Sequence, residues 1–167
     1  MAAHDWPLRV YVDTNVLSAV ANRELPTVEH AAMNTIAGLV QSSAVTLFSS
    51  PVALEEMSRI PGALFALHLA QYDAVGKVSS DLTWEEFNPA TEITDLEVED
   101  PTYEELRDLL PDEPDAQHLT QAKLAGIDHV LTLDQRTILR YAPELRERFG
   151  ILVFKPSDFV PWFHRQL

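Results

Sequence analysis

Leu8-Arg9-Val10-Tyr11-Val12-Asp13-Thr14-Asn15 sets the architecture of this chain. Its first five residues form a short apolar run of β-branched and aromatic character, which stops abruptly at an acid. From Thr14 to about Asn22 the spacing becomes helical, so the chain opens with a strand feeding directly into a helix. The same unit recurs downstream. Pro26-Thr27 predicts a second helix with Thr27 as its N-cap and Val28, Ala32, Ile36, Leu39 and Val40 along one face. Residues 44–49 predict a second strand, and Ser50-Pro51 a helix with Ser50 as N-cap, ending before Pro61-Gly62. Residues 63–72 also read as helical, whereas 76–100 offer only Trp84 and Phe87 as anchors. Beyond them come a short helix at 101–110, a longer one from Pro114 to Gly126 and a strand at 129–133 ending in Asp134. A helix at 137–149, a strand at 151–154 and a last helix after Pro156-Ser157 complete the chain. Strands alternating with helices predict an α/β domain with a mainly parallel sheet. No repeat or linker breaks it, so residues 1–167 are expected to form a single domain.

The 167 residues are 46% hydrophobic and 23% charged, ordinary globular usage for a chain long enough to bury a core without staples. There is no cysteine, which excludes a disulfide scaffold, a thiolate zinc site, an iron–sulfur cluster and a cysteine nucleophile. No apolar stretch approaches membrane-spanning length, so no membrane association is expected. The first 30 residues lack a basic start followed by an apolar core, so the expected address is cytoplasmic. The net charge of −14 at first argues against a nucleic-acid ligand, because phosphate contacts supply most non-specific affinity. Its distribution weakens the objection: residues 81–115 hold fourteen acids and one base, Arg107, and the remainder is nearly neutral. The domain therefore carries an acidic excursion at about 81–113.

Ligands of an open parallel sheet bind beyond the carboxyl ends of its strands. Asp13 and Asp134 each end a strand there, and right-handed crossovers put both on the same side. The plainer reading is that each caps the helix that follows. Asp115 lies in the first turn of the helix opened by Pro114, where macrodipole compensation is the simpler explanation for an acid. Glu55 and Glu56 follow the second strand. Of the two, Glu56 borders the apolar side, where an acid needs a partner or a metal. Four carboxylates in one crevice repel one another unless a cation neutralises them. An oxygen-only donor set suits a hard divalent ion, Mg²⁺ or Mn²⁺. Such an ion supports phosphodiester hydrolysis by acidifying water and stabilising the charge of an in-line displacement.

With these residues in place the sequence resembles the PIN-domain ribonucleases, the class that includes VapC-type toxins of toxin–antitoxin pairs. Val10 to Leu17 is similar to the family's opening strand and its Asp-Thr-Asn signature, and Ser50 to Met57 to its acidic helix, with Glu56 in the acidic position. Asp115-Ala116-x-His118 and Val130-Leu131-Thr132-Leu133-Asp134 resemble the third and fourth acidic motifs, and residues 150–159 the closing strand and helix. The resemblance implies a three-layer α/β/α sandwich around a mainly parallel sheet of about four to five strands. It also implies a metal-dependent endoribonuclease that attacks RNA with water and leaves 5′-phosphate and 3′-hydroxyl ends. Asp13, Glu56, Asp115 and Asp134 would surround Mg²⁺ or Mn²⁺, and Asn15 and Thr132 would orient carboxylates or water from behind them. The implied partners are the RNA substrate and, for a toxin, a protein antitoxin. A homodimer is also expected.

His118 lies three residues after Asp115 on the same helical face, where a supporting role is expected ahead of direct contact with the reaction. Arg136, just after Asp134, is a candidate phosphate contact. Arg9, Arg23, Arg59 and Lys123 are expected near the crevice but too scattered to form a patch. Trp162 and Phe163 read as core or dimer contacts. Two other readings compete with the nuclease. One is a non-catalytic interaction module that keeps the fold, which the presence of all four acids disfavours. The other is an aspartyl phosphatase with Asp13 as nucleophile, which would usually want a second aspartate where Asn15 stands.

Overall fold

The computed structural model describes residues 7–50, Ala53, Glu56 and 101–167. Four parallel strands form one sheet: β1 (Leu8–Val12), β2 (Val45–Phe48), β3 (His129–Leu131) and β4 (Leu152–Phe154), in the order β2-β1-β3-β4. Leu8 pairs with Val45 and Tyr11 with Phe48 on one side of β1, Tyr11 and Val12 pair with Val130 and Leu131 on the other, and Leu131 pairs with Phe154. The six described helices are α1 (Thr14–Asn22), α2 (Thr27–Gln41), α3 (Pro101–Leu109), α4 (Glu113–Leu124), α5 (Ala142–Phe149) and α6 (Pro156–His164).

The period of a strand explains the layers. Leu8, Val10 and Val12 face one way and pack with Val16, Leu17, Ile36, Phe159 and Phe163 from α1, α2 and α6. Tyr11 faces the other way, among Tyr103, Leu106, Ala116, Leu119 and Leu145 from α3, α4 and α5. A strand covered on both faces reads as a continuous apolar run, which is how β1 reads. The outcome is the α/β/α sandwich expected from the sequence. One buried acid braces its first layer: Glu29 of α2 accepts hydrogen bonds from the Ser157 amide (2.9 Å) and hydroxyl (2.6 Å) at the start of α6. Trp162 packs against Phe154 and Phe159 and beside His129, and Phe163 is buried, so both serve the core.

Several boundaries differ from the sequence-based expectation. Thr27 is the first helical residue and Pro26, with φ −53° and ψ 150°, occupies the cap, because proline's fixed φ suits the chain's entry into the helix. The helix expected from Thr137 starts only at Ala142: residues 135–138 form turns and Leu139–Tyr141 a 3-10 turn, held by the Leu139 amide bonding to the Asp134 carbonyl at 3.0 Å. The helix expected from Pro114 begins at Glu113 and ends at Leu124, and Gly126 follows at φ +69°, a conformation that needs no side chain. The expected helix at 63–72 and the anchors Trp84 and Phe87 lie outside the described residues, as does most of the acidic excursion.

Candidate active site at the switch point of the sheet

Chain order takes the sheet from β1 to β2 on one side, then across to β3 and β4 on the other. The reversal leaves a crevice between the carboxyl ends of β1 and β3, where doubly wound folds bind ligands. Asp13 stands at the end of β1, its amide bonded to the Leu131 carbonyl of β3 at 2.9 Å. Although it occupies the N-cap position of α1, its side chain makes no capping hydrogen bond. The carboxylate is turned into the crevice instead and is only 4% exposed.

A cleft of about 480 Å³ opens at this point, lined by Asp13, Thr14, Asn15, Ser18, Ala19, Glu24, Glu56, Asp115 and Asp134. All four acids singled out in the sequence thus meet in one cleft, joined by Glu24, which the sequence reading missed. Among the described lining residues there is no lysine or arginine. Glu55 lies outside the described residues.

Asp13 is held from behind. Thr132 donates its hydroxyl to Asp13 Oδ2 at 2.8 Å, and Asn15 Nδ2 donates to the same oxygen at 2.9 Å and to Thr132 Oγ1 at 3.2 Å. Asn15 Oδ1 accepts the Leu133 amide at 3.0 Å, so one asparagine ties the start of α1 to the segment after β3. This fixes Asp13 Oδ2 and leaves Oδ1 toward His118 Nε2, 3.8 Å away.

Asp134 closes a turn rather than capping the following helix, which starts only at Ala142: its Oδ1 accepts the amides of Arg136 (2.9 Å) and Thr137 (3.0 Å). Its Oδ2 meets the Thr137 hydroxyl, which also contacts Asp115 Oδ2 at 2.5 Å. A hydroxyl carries one hydrogen, so it donates to one of these carboxylates and accepts from the other only when that one is protonated. Burial pushes the Asp115 carboxyl up to about 6, Thr137's hydrogen bond opposes the rise, and the charges of Asp13, Asp134 and Asp112 add to it. Asp13 is raised too, chiefly by burial, with His118 and Thr132 pulling it down and Glu56 pushing it up. Thr137 was not foreseen; its signal is an acceptor three residues earlier, the Asx-turn spacing from Asp134.

Glu56 is fixed by two neighbours. The Thr14 hydroxyl donates to its Oε2, and His118 Nε2 lies 2.9 Å from the same oxygen. His118 itself is 1% exposed. Its Nδ1 sits 2.5 Å from the Tyr11 hydroxyl, which donates to Ser50 Oγ at 2.6 Å. With that hydrogen spent, Nδ1 must donate to Tyr11, and Nε2 donates to Glu56 when the ring is charged. Burial lowers the His118 pKa, but the hydrogen bond to Glu56 and the charges of Asp13, Glu56 and Asp115 raise it by more. Tyr11 and Ser50, read as a strand residue and a helix cap, therefore anchor the ring that braces Glu56.

Two of the basic residues, Lys123 and Arg9, fall elsewhere than expected. Lys123 pairs with Asp128 at 2.7 Å just before β3, and Arg9 stacks over Phe48 at 5.2 Å near the start of β1. Both belong to the amino edge of the sheet, away from the cleft. Arg23 caps the end of α1, Arg59 lies outside the described residues, and Arg136 is exposed beside Asp134.

Against this geometry, the sequence model of the PIN domain matches residues 10–144. The chain belongs to the PIN-domain family. The match covers every acid in the cleft, all of β3 and β1 from Val10 onward. No curated protein matches the chain, and no solved structure does. PIN domains are nuclease-type folds that typically use divalent metals, and a nucleic-acid substrate follows from membership. Among the described residues no helix is long and apolar enough to cross a membrane.

The donor set of this PIN domain suits such an ion: carboxylate oxygens, no thiolate, and acids whose pKa values are raised chiefly by burial, with neighbouring carboxylates adding to the rise. Among the described residues no three histidine or acidic side chains stand preassembled around one point. Thr137 occupies oxygens of Asp115 and Asp134, and Thr14 and His118 one of Glu56, so a bound ion would have to compete with these hydrogen bonds.

Proposed function

We propose that this PIN domain is a divalent-metal-dependent endoribonuclease that hydrolyses RNA phosphodiester bonds. The observation that carries the reading is the cleft itself. Asp13, Glu56, Asp115 and Asp134 converge at the switch point with no described lysine or arginine among the lining residues, and two of them are buried and held from behind. Their described partners are hydroxyls, amide groups and the His118 imidazole, with no lysine or arginine among them.

In this reading the four acids hold Mg²⁺ or Mn²⁺, which when bound acidifies a water and stabilises the charge of an in-line displacement. The chain's own contribution is preorganisation. Asn15 and Thr132 fix Asp13 Oδ2 and leave Oδ1 facing the cleft. Thr137 keeps Asp115 and Asp134 side by side. Tyr11 holds His118, which holds Glu56. The resemblance further implies 5′-phosphate and 3′-hydroxyl ends, and since the class it points to includes toxins of toxin–antitoxin pairs, the proposal extends to that role.

Labelled RNA incubated with Mn²⁺, with and without chelator, tests the activity. Cleavage that needs the metal and leaves 5′-phosphate ends supports it, and intact RNA under both conditions refutes it. Growth arrest on expression, relieved by a small co-expressed neighbour protein, tests the toxin role.

A further inference from the structure

The cleft has no described cation of its own, yet a polyanion must be held while it is cut. Two cations away from the carboxyl edge are engaged in ion pairs, Lys123 with Asp128 and Arg148 with Glu105 at 3.6 Å. The carboxyl edge beyond β3 differs. Arg136 follows Asp134 directly in the capped turn and is exposed. Arg140 is exposed in the 3-10 turn folded back on Asp134, its guanidinium 5.8 Å over the Tyr141 ring. Lys155 ends β4, and the bond from the Thr132 amide to the Phe154 carbonyl (2.9 Å) sets it level with the residues that brace Asp13. None of the three has an ion-pair partner among the described residues. Lateral position then orders the edge. Acids Glu24, Glu56 and Asp13 lie toward β1, Asp134 at β3, and the unpaired cations beside β3 and β4, about two strand spacings or 10 Å from Asp13.

We propose that single-stranded RNA leaves the cleft over Asp134 and crosses the β3–β4 side of the carboxyl edge, with Arg136, Arg140 and Lys155 binding its phosphates. This rests on the nuclease reading for the nature of the ligand, and adds where the strand runs. The side of the cleft lined by Glu24 and Glu56 sets two acids against the single exposed Arg23, whereas the β3–β4 side gathers Arg136, Arg140 and Lys155 with no ion-pair partner among the described residues.

The test is binding of a fluorescein-labelled 12-nucleotide oligouridylate by the full chain in chelator, so that cleavage plays no part, at several salt concentrations. Three proteins are compared: wild type, the triple variant Arg136→Gln, Arg140→Gln and Lys155→Gln, and a control with Lys123→Gln and Arg148→Gln. Each phosphate contact contributes about 0.7 to the slope of log K against log salt for single strands, so the triple variant should be shallower by about 2. The control should match wild type, and the Mn²⁺-induced rise in melting temperature should be equal in all three. An unchanged slope in the triple variant, with wild type binding RNA, overturns the path and leaves the nuclease reading standing. Wild type that neither binds RNA at low salt nor cleaves it with Mn²⁺ overturns both.

Discussion

Asp115→Asn should stabilise the metal-free protein at neutral pH, and the gain should vanish in acid. Asp115 is 9% exposed and shares the Thr137 hydroxyl with Asp134, and its carboxyl is raised from 3.8 to about 6. The folded state therefore holds this proton more tightly than the unfolded chain does. The stability it contributes is complete below about pH 4 and is lost as pH rises through 6. A fully shielded group with this rise would cost about 3 kcal/mol when ionised; screening along the open cleft reduces that to about 1–2 kcal/mol. For a domain of this size the loss corresponds to about 3–6 °C in melting temperature. The substituted side chain carries no charge and still offers Thr137 an oxygen. In chelator, melts of both proteins between pH 4.5 and 7.5 should nearly coincide at the acid end and separate by that amount at the other. Asp13 and His118, both raised, slope the wild-type profile the same way, and the Asp115 charge itself raises His118, so the difference between the two proteins reports Asp115 together with its coupling to the ring. A variant that melts below wild type at pH 7.5, or a difference independent of pH, would overturn this explanation.

Divalent metal should raise the wild-type melting temperature, by about 2.7 kcal/mol of stability at 100 times the dissociation constant, and low pH should remove the effect because protonated carboxylates release the ion; scanning calorimetry with Mn²⁺ checks both. Tyr11→Phe strands Ser50 Oγ and His118 Nδ1 in the core, so denaturant titration should show a loss of about 1–3 kcal/mol. Because Glu56 loses its brace, Mn²⁺ affinity should also fall, by about 10–100-fold in a calorimetric titration. Neutralising Glu92, Glu97, Glu99, Glu104 and Glu105 to glutamine should speed RNA cleavage at low salt, with the gain fading as salt screens the field; equal rates at all salt concentrations would leave the acidic excursion a solubility role.

The elements that place the site were legible because their signals are local. The β1 run stops at Asp13, and its alternation divides cleanly between two cores. Strand–helix alternation then fixes which edge carries the acids. What stayed hidden is contact across long sequence separations. Tyr11 looks like any strand aromatic, and nothing local says that its hydroxyl reaches His118, 107 residues away. Thr137 reads as the start of a helix, yet the capped turn at Asp134 aims its hydroxyl at Asp115, 22 residues upstream. Glu24 follows α1 and looks solvated; only the reversal of the sheet brings it to the cleft. Two basic residues were misplaced for the complementary reason: Arg9 and Lys123 belong to elements that reach the site, but at the opposite end of them.

Metal-dependent cleavage at this cleft is tested most sharply by pairing Mn²⁺ calorimetry with RNA cleavage in wild type and Asp13→Asn. The substitution keeps the shape of the side chain and its contacts with Asn15 and Thr132 but deletes the charge at the floor of the cleft. The expected result is a folded variant, at least as heat-stable as wild type in chelator, that neither binds Mn²⁺ measurably nor cuts RNA. A variant that binds Mn²⁺ and cleaves RNA as wild type does would contradict the nuclease reading of these four acids.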